Sequence, residues 1–262
     1  MMQQVKYIRQ LVVFRYQSYL YKDKVLQFLK WLITLLFLYF ITLPASAQVT
    51  YQEYNQLLKN AVDANGLVNY RWLKTNQERI EKISTSWQHS GDWEKWPLPT
   101  QKAFWINVYN LHTILLVCQY YPIRSIRDIA DGKPWDLQWI KIEGKTYSLN
   151  DIEHNLLRKK FKDPMIHFAI NCASISCPAL SNRAYEAENL ERQLQTRTRI
   201  FVRDKNKNRI SADRLQLSAI FDWYREDFGS LTDFISRFSD LKIKNAATIN
   251  FMEYSWDLNE RR

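Results

Sequence analysis

Glycine and proline are scarce in this chain, five and seven among 262 residues. That scarcity, together with the lack of any repeated unit, excludes collagen-like, linker-rich and solenoid architectures. Histidine is rarer still at four, and cysteine rarest at three. An odd number of cysteines leaves at least one thiol free or paired between chains. The spacing of His and Cys matches no familiar zinc pattern, and no nucleic-acid motif occurs. No cofactor and no metal are therefore expected. What is abundant is apolar: 46% of residues are hydrophobic and 15% aromatic, enough for one substantial core.

The only long apolar run lies near the start. After a basic stretch ending at Lys30 come the 13 uncharged residues Trp31 to Leu43, then Pro44 and the small triplet Ala45-Ser46-Ala47. A positive segment, an apolar stretch short of a comfortable span and an A-x-A site form the pattern of a secretory signal. Residues 1–47 are expected to be a signal peptide cleaved after Ala47. An exported, periplasmic or extracellular domain without a stable membrane span would remain at 48–262. The first 47 residues carry six Lys/Arg and one acid, so the formal net charge falls from +10 to +5 without them. The remaining excess gathers between Arg192 and Arg209, where seven Lys/Arg face only Asp204. A solvated helix face followed by a turn accounts for that run, and no nucleic-acid partner is expected.

Hydrophobic periodicity predicts a helix from Tyr51 to Val62, a second from Tyr70 to about Trp87, and a long apolar one from Gln101 to Tyr120. "LQWIKIEG" and "KTYSL" predict a hairpin bending at Glu143-Gly144. A helix through "NDIEHNLLRKK" follows, and "MIHFAI" has the pattern of a buried strand. Helices are then predicted over about Glu186 to Val202, through "AIFDWYREDF", and from Leu231 to Phe238. Strands are predicted at "RLQLS" and in the tail. Helices outnumber strands without alternating, so an α+β fold is expected, one mainly helical domain around a small sheet.

The stretch "HFAINCASISCPAL", His167 to Leu180, concentrates the chemistry: two of the three cysteines, two serines and a histidine in fourteen residues. Cys172 sits in a loop of small polar residues, a usual setting for a nucleophile. Strand alternation would point His167 and Cys172 to opposite faces, which favours His154 as the base. Glu153, next to His154 on a helix, would point elsewhere and bind something else. Asn107 and Asn110 share one helix face and either hold an oxyanion or satisfy loop backbone; Asn171 and Ser176 join them as expected substrate contacts. Asp222, Glu226 and Asp227 are candidate third acids. Cys118 falls on the stripe Phe104, Val108, Leu111, Leu115 and is expected to be an inert core thiol. Three readings stay open: thiol catalysis at Cys172, a Cys172–Cys177 disulfide that is structural or redox-active, and a metal site drawn from Glu153, His154, His167, Cys172 and Cys177.

Five segments in order, "AFWINVYNLHT", "SLNDIEHNLLR", "IHFAINCASISCPAL", "LSAIFDWYREDF" and "WDLN", resemble the family catalogued as domain of unknown function 547. The likeness covers about Gln101 to Asp227 and implies Glu153, His154, Cys172 and Ser174 as the functional set. In plant relatives other residues stand at the positions of His167 and Cys177, and some eukaryotic relatives are joined to glutaredoxin-like domains, which points to thiol chemistry. There is also a loose likeness to papain- and transglutaminase-type thiol enzymes, although here His154 precedes the cysteine. The expectation is a thiol-dependent hydrolase or acyl transferase acting on a small-molecule or peptide substrate. The alternatives are an envelope binding or assembly module presenting Trp93, Trp96 and Trp135, and a thiol–disulfide redox protein.

Overall fold

The longest helix organises everything around it. Four helices open the domain: α1 (Gln52–Ala61), α2 (Tyr70–Thr75), α3 (Gln77–Gln88) and α4 (Leu98–Tyr120). In α1 the spacing of Tyr54, Leu57, Leu58 and Ala61 buries one face. The α4 helix is buried on nearly all sides from Gln101 to Cys118, as its near-continuous apolar sequence requires. Pro97 precedes it, Pro99 fits its first turn, and the chain leaves helical geometry at Tyr121 before Pro122. The single helix predicted from Tyr70 is broken at Asn76, whose amide instead donates to the Trp72 carbonyl at 2.8 Å.

This computed structural model describes residues 22, 24–34 and 49–261. The chain divides into two units, Met1–Ala47 and Gln48–Arg262. Residues 24–34 of the first are helical, and the expected cleavage point lies outside the described residues. Among the described residues no helix is long and apolar enough to cross a membrane.

The second unit is mainly helical with two small sheets, an α+β domain. β1 (Ile140–Ile142) and β2 (Lys145–Tyr147) form the expected hairpin, Ile142 opposite Lys145. Its bend needs positive φ at Glu143 (46°) and Gly144 (71°). The other sheet joins β3 (Arg209–Ile210), β4 (Arg214–Ser218) and β5 (Thr248–Met252) in that order. The tail strand β5 forms one edge, parallel to β4, with Leu215 beside Ile249. α5 (Leu190–Arg203) and α6 (Leu231–Phe238) pack together beside this sheet.

Two hydrophobic clusters result. The larger surrounds α4; the smaller is rich in phenylalanine, with Phe168, Phe201, Phe221, Phe228 and Phe234 against Leu215 and Leu217. The segment expected to be a strand, "MIHFAI", is instead largely a 3-10 helix, Pro164–Phe168. Asp163 caps it by accepting from the Met165 N–H, and Pro164 supplies the first position. Within this segment Phe168 belongs to the smaller cluster, while Ile166, Ala169 and Ile170 belong to the larger. The stretch that carries His167 and leads to Cys172 is thereby fixed on both sides. Burying a Phe side chain is worth about 1.5–3 kcal/mol, so Phe168 is a strong anchor.

Candidate functional site

The loop 169–180 is held by side-chain amides bonding to its backbone. Asn110, from the buried face of α4, donates to the Ala169 carbonyl at 2.9 Å and accepts from the Asn171 N–H at 2.8 Å. Asn171 donates to the Pro178 carbonyl and accepts from the Ala173 N–H. That turn holds Ala173 at φ 62°, a left-handed conformation costing an alanine about 1–2 kcal/mol. Asn107 binds both the N–H and the carbonyl of Tyr185. Ser176 accepts from the Ser255 N–H at 2.9 Å. All four residues expected to contact substrate bond to backbone, and none lines the pocket described next.

That pocket encloses about 240 Å³. Cys172, Cys177, His167 and Glu153 form part of its wall, and aromatic rings much of the rest. Cys172 and Cys177 are free thiols with sulfurs 2.8 Å apart, longer than the ~2.05 Å of a disulfide bond. Cys177 Sγ accepts from the Cys172 N–H at 2.9 Å. Cys172 Sγ also lies 3.3 Å from Ser174 Oγ and 3.2 Å from the Tyr254 hydroxyl, and those two oxygens are 2.7 Å apart. Burial pushes the Cys172 thiol up, but hydrogen bonds with Cys177, Ser174 and Tyr254 outweigh it and bring the thiol down to about 7. Cys177 moves the opposite way, raised by its own burial and by its neighbour. Cys118 is a core thiol in α4, which burial pushes up to about 12.

His167 is buried, stacked on Tyr224 with ring centroids 4.1 Å apart. Its Nε2 is 2.7 Å from Asp227 Oδ2, while its Nδ1 is buried without a hydrogen-bond partner. Asp227 also takes two bonds from Arg158, at 2.6 and 3.1 Å. Its contact with His167, then its pairing with Arg158, holds the Asp227 carboxyl well below the usual carboxylate range. With Nε2–H donated to a carboxylate, Nδ1 is the basic nitrogen of a neutral ring.

Glu153 and His154 separate as adjacent helical residues do. They lie on a π-helix, Asp151–Arg158, a form found mostly as short bulges at functional sites. Glu153 is buried in the thiol pocket, accepting from the Tyr109 hydroxyl at 3.1 Å. His154 lines a different cavity with Arg158, Lys159, Asp163, Glu226 and Asp227. Its Nδ1 is 3.0 Å from Arg158 Nη1, so hydrogen bonds link it to His167 through Arg158 and Asp227. Ser174 reaches the sulfur but does not line the pocket.

Behind the loop, Lys207 donates to the Ile175 and Cys177 carbonyls at 2.6 and 2.8 Å, and Arg197 donates to the Ala179 carbonyl. Part of the basic stretch is thus engaged by this chain's own loop. Of the tryptophans expected at a recognition surface, Trp93 is buried in the core against Trp105, Trp96 packs on Phe104, and Trp135 lines the pocket. Sequence reading did not find Trp223, which follows Asp222 in a segment read as a helix, or Tyr254 and Trp256, which complete the wall from the tail. The only signal of the tail pair was aromatic density in a segment read as a strand.

Fold and site together define a mainly helical α+β domain with a paired-thiol pocket. Residues 93–202 match the model of the family described as protein of unknown function, DUF547. Cys172, His167 and Glu153 fall inside the matched segment, whereas Asp227 and Tyr254 lie beyond it. No curated protein and no solved structure matches the chain.

Proposed function

We propose that this protein is an exported thiol-dependent hydrolase or acyl transferase with Cys172 as its nucleophile. The observation that carries the reading is a thiol lowered to about 7 in the same pocket wall as a histidine oriented by a carboxylate. Cys172 passes its thiol proton to His167, the thiolate attacks a carbonyl carbon, and a thioester forms as the leaving group departs with that proton. Water or an amine then attacks the thioester, giving its proton to His167, and the thiolate is regenerated. Asp227 keeps the imidazole in the tautomer whose Nδ1 is basic. The Tyr254 hydroxyl, 3.2 Å from the sulfur, is the candidate donor to the developing oxyanion. Export rests on the apolar run Trp31 to Leu43 and the Ala45-Ser46-Ala47 site.

The test is the release of p-nitrophenolate from p-nitrophenyl acetate, with the acyl group located by mass spectrometry. One equivalent released in a burst, with acetyl on Cys172 and none in Cys172→Ala, is expected. His167→Asn is expected to slow acylation by about 10²–10⁴-fold, and His154→Asn far less. A full burst in Cys172→Ala would sink the reading, and a larger loss in His154→Asn would transfer the base to His154.

The 2.8 Å approach of the two sulfurs favours a second reading, thiol–disulfide exchange. Cys172 would attack a partner disulfide, and Cys177 would resolve the mixed disulfide. Rapid reduction of a peptide disulfide, with Cys172 and Cys177 ending bonded, would support it over acyl transfer.

A further inference from the structure

We propose that the thiol pocket selects substrates carrying a cationic amine, with Glu153 as counter-ion and the aromatic walls as its π-faces; as a substrate class it rests on the acyl-transfer reading above. Six of the fourteen residues lining the pocket are Tyr or Trp, and none is Lys or Arg. Glu153 is the only carboxylate in that wall, and it is 5% exposed. Its side-chain hydrogen bond comes from a neutral group, the Tyr109 hydroxyl. Such donors stabilise a charge without cancelling it.

The Arg158 guanidinium feels the Glu153 charge but is bonded elsewhere. Arg158 gives two bonds to Asp227 and lies 4.8 Å from the centroid of the Tyr224 ring. Lys207 stands behind the cysteine loop, bonded to two carbonyls. Counting Glu153, Asp227 and Arg158, the wall and its support hold two carboxylates and one cation. Moving a proton from Cys172 to His167 adds one charge of each sign and leaves the same excess. A buried, uncompensated negative charge is costly, and an entering ammonium relieves it. The Tyr224 ring already accepts one cation on its face, and Trp and Tyr faces attract an alkylammonium by the same quadrupole. The enclosed volume is below the ~300–1,000 Å³ of drug-sized sites, so it suits one amine-bearing side chain or a small amine. An anionic substrate meets Glu153 with no positive group in the wall to receive it.

Three chloroacetamides of matched length, ending in an ammonium, a methyl group and a carboxylate, test the charge preference through labelling rates at Cys172 at pH 7. The cationic probe is expected to label at least about tenfold faster than the anionic one, with the neutral probe between. The ratio should fall toward one in Glu153→Gln, which keeps an oxygen to accept from Tyr109. Independently of thiol reactivity, butylammonium should give a saturable change in tryptophan fluorescence, and butyrate none. Equal labelling of Cys172 by all three probes with no amine binding overturns the proposal and leaves the thiol reading intact. Inert Cys172 with amine binding retained sinks the thiol reading and keeps the amine site.

Discussion

Cys172 is half-buried and Cys177 buried, and the two differ in what they receive. Cys172 shares hydrogen bonds with Cys177, Ser174 and Tyr254, whereas Cys177 faces the developing charge of its neighbour, so one pKa falls and the other rises. Tyr254→Phe removes one donor without changing the ring. One hydrogen bond is worth about 0.5–1.5 kcal/mol, so the midpoint of iodoacetamide labelling should rise from about 7 by roughly half a unit to one unit. At pH 7 the labelling rate should drop about twofold to fivefold. An unmoved midpoint in a normally folded variant would remove Tyr254 from the site. The sequence exposed the loop of Cys172, the separation of Glu153 from His154 and Asp227 as a candidate acid. It hid His167, because a short apolar run has no period that separates strand from helix. Asp163-Pro164 was the overlooked signal: a cap and a proline at a first helical position begin a helix, and alternation then no longer applies.

At the scale of elements, the long-period features were legible and the local irregularities were not. The α4 helix, the hairpin and the tail strand follow from hydrophobic pattern and turn chemistry. The break at Asn76 and the π-helix depend on tertiary bonds that no single segment announces. The amides on α4 belong to the second kind, since neither their spacing nor their type chooses between substrate and backbone as their partner. Asn110→Leu would leave the Ala169 carbonyl and the Asn171 N–H buried and unpaired, at a cost of about 2–4 kcal/mol. The melting temperature should fall by roughly 5–15 °C, and the Cys172 labelling midpoint should shift with it. Asn107→Leu makes the informative contrast, because its bonds go to Tyr185. It should cost similar stability while the labelling midpoint stays, and a shift equal to that of Asn110→Leu would refute the division of labour.

The whole molecule closes through its tail. Val68 pairs with Glu260, Ser125 with Asp257 and Ser174 with Leu258, so one short segment ties three distant stretches of chain together. Asn259 is buried at the centre: its backbone donates to Ala173 and accepts from Val68, and its side chain accepts from Tyr70 and lies 3.3 Å from Asn171 Oδ1. The Ile175 N–H donates to the Asp257 carbonyl beside it at 2.7 Å. The cysteine loop is thus clamped by α4 on one side and by the tail on the other, and the tail also brings Tyr254 to the sulfur. Asn259→Leu keeps the backbone bonds but leaves the Tyr70 hydroxyl buried without its acceptor, costing about 1–3 kcal/mol. If tail and loop open as one unit, that cost falls on their local opening as well as on global unfolding. Hydrogen exchange should then accelerate together at Ile175 and Asn259, by about 5–150-fold for that energy, and stay faster there than at the amides of α4 in both proteins. Protection at Ile175 and Asn259 as high as that of α4 would mean that the tail has no separate opening and that the thiol site is only as mobile as the core beneath it.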